Sequence, residues 1–231
     1  MSGPGLIFLL RWTMRAPRYV LLDVDNTLYP KSSGLDRVLR RRIIEYLMDR
    51  HGLTAKEAEG ARERYVKEYG LSLPGIMSDF DTDVVDYQEF IHDVDIEEYV
   101  KPDPELCSML DSIDTEKVLY TNSSEQHTRR VIAALGLDIS IFGHIVDFRS
   151  TGCIAKPFPE SFEAMLRIIG ANGEDCVMVD DMPKTIVVAK QVFGMGTVLV
   201  DEDDAACCVE ADMKIKRISD LKRAIYPVQG L

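Results

Sequence analysis

Asp23 and Asp25 stand one residue apart at the end of an apolar run, Tyr19-Val20-Leu21-Leu22. Such a run suits a strand buried on both faces, as in a parallel sheet. Side chains at i and i+2 of a strand share a face, so both carboxylates would sit side by side at its carboxyl end. Open α/β sheets bind ligands there. Adjacent carboxylates repel unless a cation or a shared proton relieves them. The pair therefore suggests Mg²⁺ and acid–base chemistry.

Three more polar groups follow predicted strands. Thr121-Asn122-Ser123 comes after Lys117-Val118-Leu119-Tyr120. A hydroxyl and the N–H groups of a helix start can hold phosphoryl oxygens, although Ser and Asn are equally the usual helix caps. Lys156 precedes Pro157, a proline placed to open a helix. From there its ammonium can reach back and neutralise charge between a carboxylate and a phosphate; taken alone, such a lysine is an ordinary surface residue. Asp180-Asp181 closes a second apolar run, Cys176-Val177-Met178-Val179. Carboxylates converging from two strand ends make a hard-oxygen site suited to Mg²⁺. The alternative is that they cap a helix starting at Pro183.

The elements that must position these residues alternate. Helical apolar spacing runs over residues 35–50, and Thr54 with Glu57 forms a capping pattern for a helix reaching Tyr69. Residues 74–80 and 83–94 are shorter helical candidates, and residues 31–100 contain no convincing strand. Beyond them, strands are expected at 117–121, 144–147, 175–180 and 197–200. Helices are expected at 104–110, 124–135, 158–169 and 183–192. Alternation of this kind implies parallel βαβ units. The predicted fold is α/β: a doubly wound, mostly parallel, Rossmann-like sheet built from residues 19–30 and 101–231. An all-helical segment, residues 31–100, is inserted into it. The acidic run 201–204 reads as a solvated loop.

Composition narrows the partners. The 231-residue chain carries a net charge of -12, which argues against nucleic acid because phosphate-backbone binding needs a basic surface. It leaves room for a small phosphorylated metabolite, since one cation and one lysine reverse a local field. Oligomeric state is not legible. Cys107, Cys153, Cys176, Cys207 and Cys208 lack paired zinc-type spacing and read as reduced thiols. Residues 6–10 are apolar but too short to span a membrane or to form a typical signal-peptide core. Arg11, Arg15 and Arg18, with no acid before Asp23, give residues 1–18 a loose likeness to an organelle transit segment. A loose extension is the alternative, and the expected location is cytoplasmic. Met14 is a possible start.

The four segments, in this order, resemble the haloacid dehalogenase superfamily. Its first motif, DxDxT, is met by Asp23, Asp25 and Thr27. Its second is met by Thr121, its third by Lys156, and its fourth by Asp180 and Asp181. The likeness extends from Tyr19 to Ile225, and the inserted helices resemble the family's cap domain. Within the superfamily, DVDNTLYPKSSGL, FIHDVD, EEYVKPDPEL and LYTNSS are similar to the pyrimidine 5′-nucleotidase group of fungi and plants. One departure is that many relatives carry another acid where this chain has Thr185 or Ile186. That puts more weight on Asp180 in an outer metal shell.

The resemblance implies a Mg²⁺-dependent phosphomonoester hydrolase. Asp23 would be the nucleophile and form an aspartyl-phosphate. Asp25 would act as acid and then base, starting protonated while a metal keeps Asp23 ionised. Mg²⁺ would be held by Asp23, the Asp25 carbonyl and Asp181, with Asp180 assisting. Thr121, Lys156, Asn122 and Ser123 would surround the phosphoryl group. Tyr29, Tyr87, Phe90 and His92 are candidates to face a nucleobase or sugar, with ordinary helix packing as the alternative for each. A nucleoside 5′-monophosphate is the expected substrate. Competing readings are a sugar phosphate or phosphoglycolate, and a phospho-accepting receiver domain. The latter places its acidic pair first and its acceptor on a later strand.

Overall fold

The computed structural model describes residues 16–205 and 211–226. The extension expected over residues 1–18 lies outside the described residues as far as residue 15, as do Cys207 and Cys208. Cys107, Cys153 and Cys176 are free thiols. No helix among the described residues is long and apolar enough to cross a membrane.

A parallel sheet organises the chain. It begins with β1 (Tyr19–Leu22). Helices α1 (Leu35–His51), α2 (Ala55–Tyr69), α3 (Ser72–Asp79), α4 (Val84–His92) and α5 (Ile96–Tyr99) follow it. Then come α6 (Pro104–Asp111), β2 (Glu116–Tyr120), α7 (Glu125–Ala134) and β3 (Phe142–Val146). The chain continues through α8 (Pro159–Ile169), β4 (Cys176–Asp180), α9 (Pro183–Gln191) and β5 (Gly196–Val200). It closes with β6 (Met213–Ile215) and α10 (Leu221–Ile225).

The strand order is β3-β2-β1-β4-β5-β6, with every pair parallel. Alternate residues of β1 serve two cores. Val20 and Leu22 pack with Leu106, Leu110 and Val131 on one face. Tyr19 and Leu21 pack with Phe162, Met165 and Ile186 on the other. Helices on both faces of a parallel sheet make this a Rossmann-like α/β fold, and explain why the β1 run is apolar without interruption. Burying each such leucine or valine contributes about 1.5–3 kcal/mol.

Helices α1 to α4 gather around a third core that includes Tyr46, Leu47, Tyr65, Ile76 and Tyr87, joined by Phe148 and Ala155 from later loops. Thr54 forms the expected capping box with Glu57. α2 and α3 approach closely at Gly75, where an added Cβ would lie 2.2 Å from the Tyr65 ring. Residues 201–204 leave β5 at the surface, and Asp201 and Asp204 each lie 2.8 Å from Lys214 Nζ.

One local expectation changes. Helix α8 opens at Pro159 with Phe158 as its N-cap, so Pro157 opens no helix and Lys156 reaches the site from a loop. β6 and α10, of three and five residues, are too short to show a period.

Candidate active site

Register brings three strand ends together. Leu22 lies beside Leu119 of β2 and Val179 of β4. The next residues, Asp23, Tyr120-Thr121 and Asp180, therefore share one edge of the sheet. The chain reverses its direction of winding between β1 and β4, where doubly wound folds open a ligand crevice. The Asp23 N–H extends the ladder to the Val179 carbonyl at 3.0 Å. The chain then turns sharply. Asn26 takes a left-handed φ of 60°, which asparagine tolerates, and the Thr27 and Leu28 N–H groups return to the Val24 carbonyl. The turn sends the Thr27 hydroxyl back to Asp23 Oδ2 at 3.0 Å.

Lys156 is the charge at the centre. Its Nζ donates to Asp23 Oδ1 at 2.8 Å, Asp180 Oδ2 at 2.7 Å and the Tyr120 carbonyl at 2.8 Å. An ammonium has three donors, so none is left for a phosphoryl oxygen in this arrangement. Burial alone would lower its pKa; Asp180 and Asp23 outweigh burial and raise it, keeping the charge. Asn122, expected at the phosphoryl group, instead spends its amide on Lys156. Its Nδ2 donates to the Lys156 carbonyl and its Oδ1 accepts from the Lys156 N–H. Asp180 is tied on both sides, since its Oδ1 accepts from the Met182 N–H at 2.8 Å.

Asp23, Asp180 and Asp181 have carboxylate oxygens within 4.8 Å of one another. One lysine cannot neutralise three carboxylates. The surplus raises the pKa of Asp23 and Asp181. Burial pushes Asp23 up to about 7, with Lys156 pulling it down and Asp180 pushing further up. Burial, then Asp180 and Asp23, push Asp181 up to about 8. Buried hard oxygens carrying uncompensated negative charge are a donor set that fits a hard cation.

Asp25 lives in a different environment. It accepts from the Tyr29 hydroxyl at 2.7 Å, from His127 Nε2 at 2.9 Å and from the Ser123 hydroxyl. Burial would raise its pKa, but the His127 charge and these three donors hold it well below the usual carboxylate range. The expected order, an ionised Asp23 and a protonated Asp25, supposes a cation beside Asp23. Three donors point at Asp25, while Asp23 shares its buried space with Asp180 and Asp181.

The expected ligand-facing residues divide. Thr121 is buried, and its oxygen accepts from the Ser123 N–H, leaving its own proton to donate. The Ser123 and Tyr29 hydroxyls both donate to Asp25. His92 stacks on His127 with ring centroids 4.2 Å apart and bonds Ser124 through Nδ1. Tyr87 and Phe90 pack edge-on against Tyr46, and the Arg42 guanidinium covers the Phe90 ring at 4.2 Å. For these three, packing is the observed state. His127 was not singled out from the sequence, where it sits among the buried positions of an amphipathic helix.

A cleft of about 470 Å³ lies between α4, the start of α7 and the loop after β3; its nearest link to the site in sequence is Ser124, which follows Ser123. Gln88, Glu89, Ser124, Gln126 and Arg149 line it. Gln88 is 5% exposed, and among the described residues its amide has no hydrogen-bond partner.

A family model for haloacid dehalogenase-like hydrolases matches residues 17–192. Phosphate metabolism protein 8 of Saccharomyces cerevisiae is 30% identical over 198 residues, 80% of this chain. The chain spans 61% of that relative's length. Among solved structures, a HAD phosphatase from Thermococcus onnurineus aligns with TM-score 0.58 and 20% identity, covering 90% of this chain and 97% of that one. The magnesium-bound HAD-hydrolase YfnB from Bacillus subtilis gives 0.59 and 18%, over 91% and 99%. L-2-haloacid dehalogenase from Xanthobacter autotrophicus gives 0.58 and 15%, over 92% and 99%. These likenesses carry the fold, and the family match over most of the sequence carries the rest: the chain belongs to the haloacid dehalogenase-like hydrolases.

Proposed function

We propose that this chain is a Mg²⁺-dependent phosphomonoester hydrolase that works through an aspartyl-phosphate on Asp23. Its proposed substrate is a nucleoside 5′-monophosphate. The observation that carries the reading is the division of the strand-end carboxylates. Asp23 lies in the cluster with Asp180 and Asp181. Asp25 stands outside it, among hydroxyl and imidazole groups. A halide leaves a haloacid without a proton, whereas the alkoxide of a phosphomonoester needs one. A second carboxylate two residues from the first therefore favours phosphate ester over haloacid. The name of the yeast relative, a phosphate metabolism protein, points the same way.

Asp23 attacks phosphorus in line as the bond to the leaving oxygen breaks, and Asp25 gives that oxygen a proton. Water then attacks phosphorus and yields a proton to Asp25. The bond to Asp23 breaks and inorganic phosphate leaves. Asp25 Oδ1 accepts from Tyr29 and His127 and Oδ2 from Ser123, which leaves a lone pair on Oδ2 for the proton. Mg²⁺ would be held by Asp23, Asp181 and the Asp25 carbonyl. When bound it supplies the positive charge that keeps Asp23 ionised. Lys156 balances Asp23 and Asp180, and the Thr121 hydroxyl donates to the phosphoryl group. Residues 31–100 act as a cap, and the polar cleft beside Gln88 takes the leaving group.

The test is phosphate release from uridine and cytidine 5′-monophosphates, ribose 5-phosphate and phosphoglycolate, beside halide release from 2-chloropropionate. Each is run with Mg²⁺ and with excess chelator. The reading expects Mg²⁺-dependent phosphate release, fastest on the nucleotides. Halide release without phosphate release would overturn it, and a faster rate on phosphoglycolate would overturn the nucleotide assignment.

A further inference from the structure

His127 links the end of the helical segment to Asp25. Its side chain is fully buried, its Nε2 lies 2.9 Å from Asp25 Oδ1, and its ring lies against His92 at an interplanar angle of 19°. His92 is the last residue of α4, and α7 grips that end elsewhere too. Arg130, three residues after His127, donates to the carbonyls of His92 and Val94, and the Ser124 hydroxyl meets His92 Nδ1 at 3.2 Å. The other ring nitrogen, His127 Nδ1, is buried without a partner among the described residues. A histidine placed for packing alone would satisfy both nitrogens or give way to an apolar ring, because an orphaned buried polar atom is costly. What this ring gains is the bond to Asp25. A carboxylate with hydrogen-bonded oxygens has a defined direction, and proton transfer to a leaving oxygen depends on direction.

The geometry points to His127 as the positioning residue for Asp25: it fixes the carboxylate through Nε2 and, through its stack on His92, ties that carboxylate to the end of α4. This rests on the reading of Asp25 as the acid.

The experiment compares kcat/KM on two phosphomonoesters, both with Mg²⁺. Ribose 5-phosphate has an alkoxide leaving group that needs a proton; 4-nitrophenyl phosphate has a leaving group that hardly does. His127→Phe keeps a ring against His92 and removes the donor. His127→Gln keeps a donor and removes the ring. Asp25→Asn is the reference. The expected result is a loss in His127→Phe about tenfold or more greater on ribose 5-phosphate than on the aryl ester, since a general acid contributes roughly 10²–10⁴-fold. His127→Gln should restore at least a third of that difference. Equal losses on both esters, or no loss, would overturn the role of His127, and so would a glutamine variant no better than phenylalanine. If Asp25→Asn itself shows no dependence on the leaving group, the acid assignment falls and takes this inference with it. If it does and His127→Phe does not, only the inference falls.

Discussion

Asn122 holds Lys156 by both of its backbone polar groups, donating to the carbonyl at 3.1 Å and accepting from the N–H at 2.8 Å. A residue that the sequence offers as a phosphate ligand is thus a clamp on the lysine that balances Asp23 and Asp180. The clamp joins the loop after β2 to the loop before α8.

Asn122→Ala should therefore weaken both stability and turnover. Losing two partly buried hydrogen bonds costs about 1–3 kcal/mol. A lysine displaced by an ångström lowers kcat by about 10²-fold. Urea unfolding and steady-state kinetics on one preparation check both; full activity with reduced stability would restrict Asn122 to a structural part.

Lys156→Met should be far more severe. It leaves Asp23 and Asp180 buried without their cation, and breaking a buried pair costs about 3–5 kcal/mol. Thermal unfolding at neutral pH should show the loss, and Mg²⁺ should recover part of it. A variant as stable as the parent would mean that Lys156 carries no part of the charge balance.

The metal-free protein should be more stable in mild acid than in mild base. Asp23 at about 7 and Asp181 at about 8 both lie above the ordinary 3.8. The folded state then binds more protons than the unfolded state between roughly pH 4 and pH 8. Stability falls as pH rises across that window. Asp25 acts in the opposite sense, but its lowered pKa confines its effect to pH below 4. Melting temperature in chelator at pH 5 and pH 8 tests the sign. Added Mg²⁺ should raise the pH 8 value more than the pH 5 value.

The strand ends were legible because their apolar runs are local: Tyr19–Leu22 and the run before Asp180 announce themselves within a few residues. The Thr54–Glu57 capping box is equally local. What surrounds Asp25 was not legible. His127 comes 102 residues after it, and only the register of β1 on β2 and the placement of α7 bring the two together. The aromatic residues of α4 could not be assigned from spacing, because a helix face shows its period and not its neighbour. Tyr46, on α1, decides that Tyr87 and Phe90 are packing residues. β6 is three residues long and mixes Met, Lys and Ile, too short for a pattern.

Gln88 lines the cleft beside Ser124, and its amide carries both a donor and an acceptor. An amide of this kind matches the paired donor and acceptor on a nucleobase edge. Gln88→Leu should raise KM for uridine and cytidine 5′-monophosphates by about threefold to tenfold, the worth of one neutral hydrogen bond. KM for ribose 5-phosphate, which has no base, should stay put. A parallel rise on both would place Gln88 outside base recognition.

The central claim is that Asp23 becomes phosphorylated during turnover. Acid-quenched reaction with a nucleoside 5′-monophosphate and Mg²⁺, followed by peptide mass mapping, tests it directly. The predicted result is one phosphoryl group on the peptide containing Asp23, removed on further incubation in water and absent in Asp23→Asn. Phosphate release with no phosphoryl group on that peptide at any quench time, and undiminished in Asp23→Asn, would contradict it.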